Sequence, residues 1–295
     1  MKEWDKAYSF EDKDNLSTMV ATLDGGYLLG VTDNDTGGNK IQARFLVMKI
    51  DAGGNKVWER TYENEGYDRL SAIVATADGS YLLGGSTEPA SLEGEPPKTD
   101  ADYWLVKIDA DGTQLWDKTF GGSGDDELSS LLVTADGGYL LGGSATSGIS
   151  GDKTEASRGL TDYWIIKTDQ NGNKLWDKTF GGDSEDTFKA MVATADGGYL
   201  LGGTSVSAIG GDKTDDGLSG LGYWIVKIDG SGNKVWDKDF DGFIGARLGA
   251  MLATPDGGYL LGGTAYSEKY SPARQGSDDY WIVKVDANGS EEWDE

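Results

Sequence analysis

The sequence predicts an all-β protein, a five-bladed β-propeller of four-stranded antiparallel blades that is closed by its N-terminal strand. One stretch, Asp-Gly-Gly-Tyr-Leu-Leu-Gly-Gly at residues 136–143, occurs five times with small variations. A second mark is a series of tryptophans at spacings of 54, 58, 60, 60 and 57: Trp4, Trp58, Trp116, Trp176, Trp236 and Trp293. Repeats of roughly 60 residues that contain several short strand patterns and no amphipathic helix are typical of propeller blades.

Each repeat contains four strand patterns, here named a to d. Strand a, for example residues 130–134, is small or apolar throughout, which predicts burial on both faces. An Asp-Gly-Gly turn leads into strand b at 139–143. Strand c, as in residues 103–109, is rich in β-branched and aromatic residues. A second turn with Asp and Gly leads to strand d at 115–120, whose charged residues indicate an outer position.

The chain is predicted to form one domain, residues 1–295, because no linker or change in composition divides it. Its repeats span about 4–57, 58–115, 116–175, 176–235 and 236–292. Two d-type strands, at 1–10 and 292–295, compete for one place in the last blade. Residues 1–10 match the pattern better and are predicted to complete that blade beside 280–286, which would hide the open sheet edges.

Three motifs carry a resemblance to known families. The Gly-Gly doublet after strand b, the aromatics of strand c and the tryptophan of strand d resemble a kelch-type blade. The runs Trp116-Asp-Lys-Thr-Phe-Gly-Gly, Ala135-Asp-Gly-Gly-Tyr and Asp162-Tyr-Trp-Ile-Ile-Lys resemble repeats of secreted bacterial cell-surface proteins. The resemblance covers nearly the whole chain. It implies a non-catalytic repeat and a secreted or cell-surface location.

Composition excludes several classes of function. The net charge of −25 disfavours nucleic acid and anionic lipid as partners. Without cysteine or histidine, the chain has no thiolate, no Zn–sulfur site and no imidazole base. No signal peptide is visible in residues 1–20, and no apolar run approaches the roughly 20 residues that span a bilayer. We expect a monomer or a part of a larger polypeptide.

The long connections between strands b and c are the expected binding surface. They differ most among the repeats, and variable loops on a rigid frame usually carry binding. The alternative is drift after duplication. The last repeat also breaks the symmetry of the others with arginines and irregular aromatics, residue types that dominate binding energy at interfaces. The predicted ligand-binding residues are Phe243, Arg247, Tyr266, Tyr270 and Arg274. A last blade repacked around the closure would explain the same residues.

A carboxylate follows each of the first four marker tryptophans by ten residues: Asp14, Asp68, Asp126 and Asp186. The fifth position is Ala246. No cofactor is required, but such a series is suited to a hard cation such as Ca2+, which prefers oxygen ligands. The alternative interpretation is that each Asp caps its own d–a turn by accepting backbone N–H bonds.

These observations favour a non-catalytic binding or adhesion protein that recognises a carbohydrate or a protein through the face made by the d–a and b–c connections. One alternative is a five-bladed furanosidase-type glycoside hydrolase, which needs two carboxylates with different roles in a central funnel. The near-identical repeats argue against it, because catalysis requires a few unlike groups. Another alternative is a purely structural spacer.

Overall fold

A computed structural model gives the fold. It describes residues 4–8, 15–35, 42–64, 66–89, 100–215, 220–241, 245–266 and 278–295. These residues form 20 β-strands in one eight-stranded sheet and three four-stranded sheets. The all-β class and the four strands in each repeat are therefore as predicted. Within these ranges, no helix is long and apolar enough to cross a membrane.

The strands follow the repeat in the order a, b, c, d. The a strands are β1 (Asn15–Ala21), β5 (Gly66–Ala75), β9 (Asp126–Val133), β13 (Asp186–Ala193) and β17 (Gly245–Ala253). The b strands are β2 (Tyr27–Asp35), β6 (Tyr81–Pro89), β10 (Tyr139–Ala145), β14 (Tyr199–Ser205) and β18 (Tyr259–Tyr266). The c strands are β3 (Gln42–Ile50), β7 (Asp102–Ile108), β11 (Asp162–Thr168), β15 (Gly222–Ile228) and β19 (Asp278–Val285). The d strands are β4 (Lys56–Tyr62), β8 (Gln114–Phe120), β12 (Lys174–Phe180), β16 (Lys234–Phe240) and β20 (Glu291–Asp294).

The a–b turns show why the repeat folds in this way. In one of them the Gly137 N–H donates to the Thr134 carbonyl at 2.9 Å, and Gly137 has a φ of 81°, which L side chains rarely adopt. The Asp136 carboxylate accepts a hydrogen bond from the Thr134 hydroxyl and forms an ion pair with Lys167 of strand c at 2.9 Å. The strand-c lysines pair with the aspartates of the a–b turns in all five repeats: Lys49, Lys107, Lys167, Lys227 and Lys284.

The chain divides into two compact units. The first contains residues 1–133 and 150–153, and the second contains residues 134–149 and 154–295. The core of the first unit lies around Phe45 and Trp104, whose ring centroids are 4.5 Å apart. The core of the second includes Tyr223 and Trp281, at 4.7 Å. The strand-c aromatics thus fill the cores, which is the packing role that their regular recurrence predicts. The prediction of a single domain stays a prediction.

The predicted five-bladed ring is wrong. In the described residues, no sheet closes on itself and the first two repeats are not separate blades. Ala43 of β3 pairs in parallel with Tyr67 of β5, so the first eight strands form one sheet. Only in the later repeats does each four-stranded group form its own sheet, as in β13–β16 and β17–β20.

The predicted closure by the N-terminal strand is also wrong. The Trp4 indole N–H donates to the Ala52 carbonyl at 2.8 Å, and the Tyr8 hydroxyl donates to the Gly54 carbonyl at 2.7 Å. Residues 4–8 therefore lie on the turn between β3 and β4 of the first repeat and form no strand there. The outer strand of the last sheet is β20, in which Trp293 pairs with Lys284 of β19.

Candidate functional site

A cleft of about 430 Å3 lies between the sheet β13–β16 and the sheet β17–β20. Thr187 of β13 and Thr204 of β14 line one wall, and Arg247 of β17 and Thr264 of β18 line the other. These residues stand near the beginning of the a strands and the end of the b strands. The cleft therefore opens where the d–a and b–c connections leave the two sheets.

Packing between the two sheets sets the floor of the cleft. Leu248 is 5% exposed and belongs to the core cluster of the second unit. Its backbone N–H donates to the Thr204 hydroxyl at 3.1 Å, which joins strand a of one sheet to strand b of the other. Because side chains alternate along a strand, burying Leu248 turns the neighbouring Arg247 the other way, and Arg247 is exposed.

Two cations line the cleft of this acidic chain. Arg247 and Lys189 are both exposed, and within the described ranges neither forms an ion pair. Glu185 is the acid among the lining residues. With three threonine hydroxyls close by, the cleft offers positive charge together with donors and acceptors of hydrogen bonds. Such a combination suits an anionic ligand that carries hydroxyl groups.

Of the predicted ligand-binding residues, the structure places Arg247 in the cleft. Phe243, Tyr270 and Arg274 lie outside the described residues. Tyr266 ends strand β18, and its side chain is likewise outside the description. Whether these residues join Arg247 therefore stays a prediction.

Sequence reasoning missed Lys189. This residue is the bulge of β13, where the register shifts between Phe188 and Ala190. The same position in the other repeats holds a small residue: Ser17, Ser71, Ser129 and Gly249. Aligning the repeats position by position would have found this cation, because a lysine stands out among serines and a glycine.

The described members of the Asp series make the contacts that turn capping requires. The Asp68 and Asp126 carboxylates accept the backbone N–H of Asn64 at 2.7 Å and of Gly122 at 2.8 Å. Asp14 lies outside the described residues. Burial raises the pKa of Asp68 to about 6. In the described part of the chain, no three acidic side chains are grouped so as to hold a metal ion. The calcium expectation stays untested, and the capping alternative accounts for these contacts.

Replacing Asp186 by alanine should lower the free energy of unfolding by about 1–3 kcal/mol, since two buried donors lose their acceptor. Asp186 is fully buried and accepts the Gly182 N–H at 2.6 Å and the Ser207 hydroxyl at 2.8 Å. Urea unfolding measures the loss. Glu291→Ala, which removes an exposed acid, is the matched control and should change little. Equal stability of the two variants would contradict capping. If added CaCl2 raised the free energy of unfolding only in proteins that retain Asp186, the result would support a calcium site.

Comparisons with known proteins show similarity of fold but no family. No family model matches the chain. It is 26% identical over 192 residues to the regulatory protein FlaEY of Caulobacter vibrioides, a match that covers 62% of this chain and 20% of that protein. The chain thus spans about a fifth of the length of this relative.

Solved structures of an apocarotenoid oxygenase from Synechocystis have a similar fold. One variant matches 91% of this chain with a TM-score of 0.50 and 14% identity, and the chain covers 57% of it. A second variant matches 95% with a TM-score of 0.51 and 13% identity, and 60% of it is covered. The cobalt-substituted enzyme matches 94% with a TM-score of 0.51.

These neighbours correct the predicted fold. They are oxygenases and not kelch proteins, and the sheets of this chain are not closed. The description of the fold as a closed, kelch-like five-bladed β-propeller is therefore wrong. At 13–14% identity the likeness concerns the fold alone, so the oxygenase chemistry is not carried over. The resemblance of single motifs to bacterial surface repeats stays an expectation.

Proposed function

We propose that this chain is a non-catalytic ligand-binding protein whose cleft between β13–β14 and β17–β18 binds an acidic carbohydrate. The observation that carries the proposal is the pair of exposed cations, Lys189 and Arg247, neither of which forms an ion pair with a described residue, on a chain with a net charge of −25. The near-identical repeats offer no catalytic set of unlike groups among the described residues, which favours binding over turnover.

Charge supports an acidic ligand. A planar guanidinium such as that of Arg247 can donate two parallel hydrogen bonds to a carboxylate, and Lys189 adds a second positive charge. Bringing a carboxylate to an otherwise acidic surface requires local cations, since the summed field of the chain repels anions. A neutral sugar would leave both cations without a partner, so the acidic class is favoured.

Hydroxyls support a carbohydrate. Thr187 and Thr264 lie on opposite walls, and each hydroxyl both donates and accepts hydrogen bonds. A volume of about 430 Å3 is within the range of small-ligand sites, which extends from about 300 to 1,000 Å3. A cleft of this kind can hold part of a longer chain of sugars, which need not be enclosed as a whole.

The hydrolase alternative requires a central funnel inside a closed ring of five blades. That ring is absent from the described fold. A secreted or cell-surface location would give such a protein access to acidic polysaccharides. This location is part of the proposal and rests on the resemblance of the repeats to surface proteins.

A glycan array with matched acidic and neutral glycans, followed by calorimetry on the best glycan, tests the proposal. We expect the acidic glycans to bind and Arg247→Ala to weaken binding about tenfold or more, the effect of losing a charged hydrogen bond. Lys189→Ala should weaken it in the same direction. Lys118→Ala is the control, because it removes one exposed cation from β8 in the other unit.

Three results would contradict the proposal. If neutral glycans bound as tightly as the matched acidic ones, the cations would have no part in recognition. An equal loss of glycan affinity in Lys118→Ala and Arg247→Ala would show that net charge, and not a specific site, governs binding. Binding of no glycan, together with capture of a purified protein partner through Arg247, would assign the cleft to protein recognition.

A further inference from the structure

The last sheet, β17–β20, exposes a face whose counterpart is buried in the sheets before it. Tyr163 and Tyr223 of strand c are 0% exposed, whereas Tyr280 at the same repeat position is 90% exposed. Ile282 is 38% exposed, whereas Ile225 is fully buried. We call this surface of Gly262, Thr264, Tyr280 and Ile282 the tail face. Its apolar side chains are those that the next sheet covers elsewhere.

Apolar side chains of the next strand a normally fill the groove over a strand-b glycine. The Phe188 ring lies so close to Gly142 that a Cβ there would come within 2.5 Å of it. A Cβ on Gly202 would likewise come within 2.9 Å of Leu248 and Met251. At Gly262, the corresponding glycine of the tail face, a Cβ would meet no atom of a described residue within 4 Å. The groove is present in the last sheet, and no described residue fills it.

The hydrogen bonds between neighbouring sheets recur together with this packing. The backbone N–H of Phe188 donates to the Ser144 hydroxyl at 2.9 Å, as that of Leu248 does to Thr204. The Tyr223 hydroxyl donates to the Trp281 carbonyl of the next strand c at 3.1 Å. On the tail face, neither the Thr264 hydroxyl nor the Tyr280 hydroxyl has such a bond to any described residue.

The first sheet exposes the complementary surface. Leu16 and Met19 of β1 are 58% and 66% exposed. Their counterparts in β5, Leu70 and Ile73, are 3% and 6% exposed, because they lie over Gly30. We call the surface of Leu16 and Met19 the head face. It consists of the side chains that fill the strand-b groove in every other repeat.

We propose that the tail face of one copy binds the head face of a second copy, so that the chain associates head to tail. This contact continues the sheet-to-sheet interface that each copy already contains: Leu16 and Met19 would enter the groove over Gly262, and the Tyr280 hydroxyl would donate to the strand-c backbone of the second copy. The two faces differ, so the interface is heterologous and can add further copies. The proposal does not rest on ligand binding in the cleft, with which the tail face shares Thr264.

The N-terminal segment would have to move in this association. In the repeats, the strand-d tryptophan lies against the c–d turn of the following repeat, as Trp58 does at Gly112. In the first repeat, Trp4 of the same chain occupies this place at Gly54. Continued repeat packing would bring Trp293 of the incoming copy to the same place, so Trp4 leaves Gly54 when the two faces join.

Light scattering after size-exclusion chromatography tests the proposal with three variants of the full chain. Wild type should exceed the monomer mass of 31.4 kDa in a concentration-dependent way. Leu16→Glu blocks the head face and Gly262→Glu blocks the tail face without a clash inside the chain, so each should run as a monomer. A mixture of the two should form a 1:1 dimer, because one unblocked head and one unblocked tail remain.

The control is Leu175→Glu, which puts the same charge on an exposed leucine of strand β12, outside both faces. It should associate like wild type, and circular dichroism should show that all variants are folded. A monomeric wild type up to about 1 mM would overturn the proposal. So would a mixture that stays monomeric, or equal dissociation by Leu175→Glu. Since Leu16→Glu does not touch the cleft, its glycan binding reports on the proposed function separately.

Discussion

Trp224→Ala is expected to lower the free energy of unfolding by about 3–5 kcal/mol, the usual loss for removing a large buried aromatic side chain. Trp224 is 0% exposed in β15, and its ring centroid is 4.9 Å from that of Tyr163. Its indole N–H donates to the Asp237 carboxylate at 3.1 Å. The substitution therefore leaves a cavity and also removes a donor from a buried acid.

The state of Asp237 adds to this loss. Burial acts to raise its pKa, but hydrogen bonds from Lys234 and Thr214 hold the pKa below its usual value, so the group is ionised at pH 7. An ionised carboxylate that loses one of its buried donors is destabilised.

Urea unfolding followed by fluorescence measures the effect of Trp224→Ala. Trp293→Ala is the matched control, because it removes a tryptophan that is 47% exposed in the outer strand β20. Trp293→Ala should lower the free energy of unfolding by about 1 kcal/mol or less. Similar losses in the two variants would show that the strand-c tryptophans do not hold the sheets together.

Lys213→Met is expected to lower the free energy of unfolding by about 3–5 kcal/mol at pH 7, since it leaves the buried carboxylate of Asp239 without its countercharge. The two side chains form an ion pair and are 3% and 2% exposed. Burial outweighs the attraction of Lys213 and raises the pKa of Asp239 to about 6. Without the lysine, this pKa should rise further.

The pH dependence has a definite sign. A carboxyl whose pKa is higher in the folded state than in the unfolded state favours folding when it is protonated, and this contribution is lost as the pH rises through the folded pKa. Lys213→Met should therefore recover stability as the pH falls from about 7 to 5, within the range that the raised pKa of Asp239 sets. Denaturant unfolding across this range measures the recovery.

The double variant Lys213→Met/Asp239→Thr serves as the control. Threonine is the natural residue at this register in the preceding sheet, where Thr179 pairs with Trp164 as Asp239 pairs with Trp224. Removing both charges should restore most of the stability at pH 7 and abolish the pH-dependent difference. A double variant as unstable as the single one would show that Lys213 acts through its other hydrogen bonds, to Ser205 and to the Ser207 carbonyl.

Local sequence patterns predicted the strands because each strand is specified by residues close to it in the chain. The strand pattern at 115–120 became β8, Gln114–Phe120, and the pattern at 139–143 became β10, Tyr139–Ala145. Gly137 in the a–b turn has the positive φ that a tight turn requires. The strand-c tryptophans are buried, as their recurrence indicated.

The candidate site was predicted in part. Arg247 was found because it follows Ala246, which interrupts a series of acids, whereas Lys189 was missed because its position carries no motif in the other repeats. That both cations line one cleft depends on the packing of Leu248 between two sheets, and no pattern within a single repeat reveals this contact.

The sequence by itself determined the all-β class, the order of the four strands in each repeat and the turns that join them, because hydrophobic alternation and turn residues act over a few neighbours. Only the tertiary structure decided how the repeats are combined. A closed and an open arrangement use the same strands, and they differ in contacts between residues far apart in sequence. Trp4 lies on the turn at Gly54 while Trp293 pairs within the last sheet, although both residues carry the same repeat signature. That choice depends on the packing available to each segment in three dimensions, which local patterns do not encode.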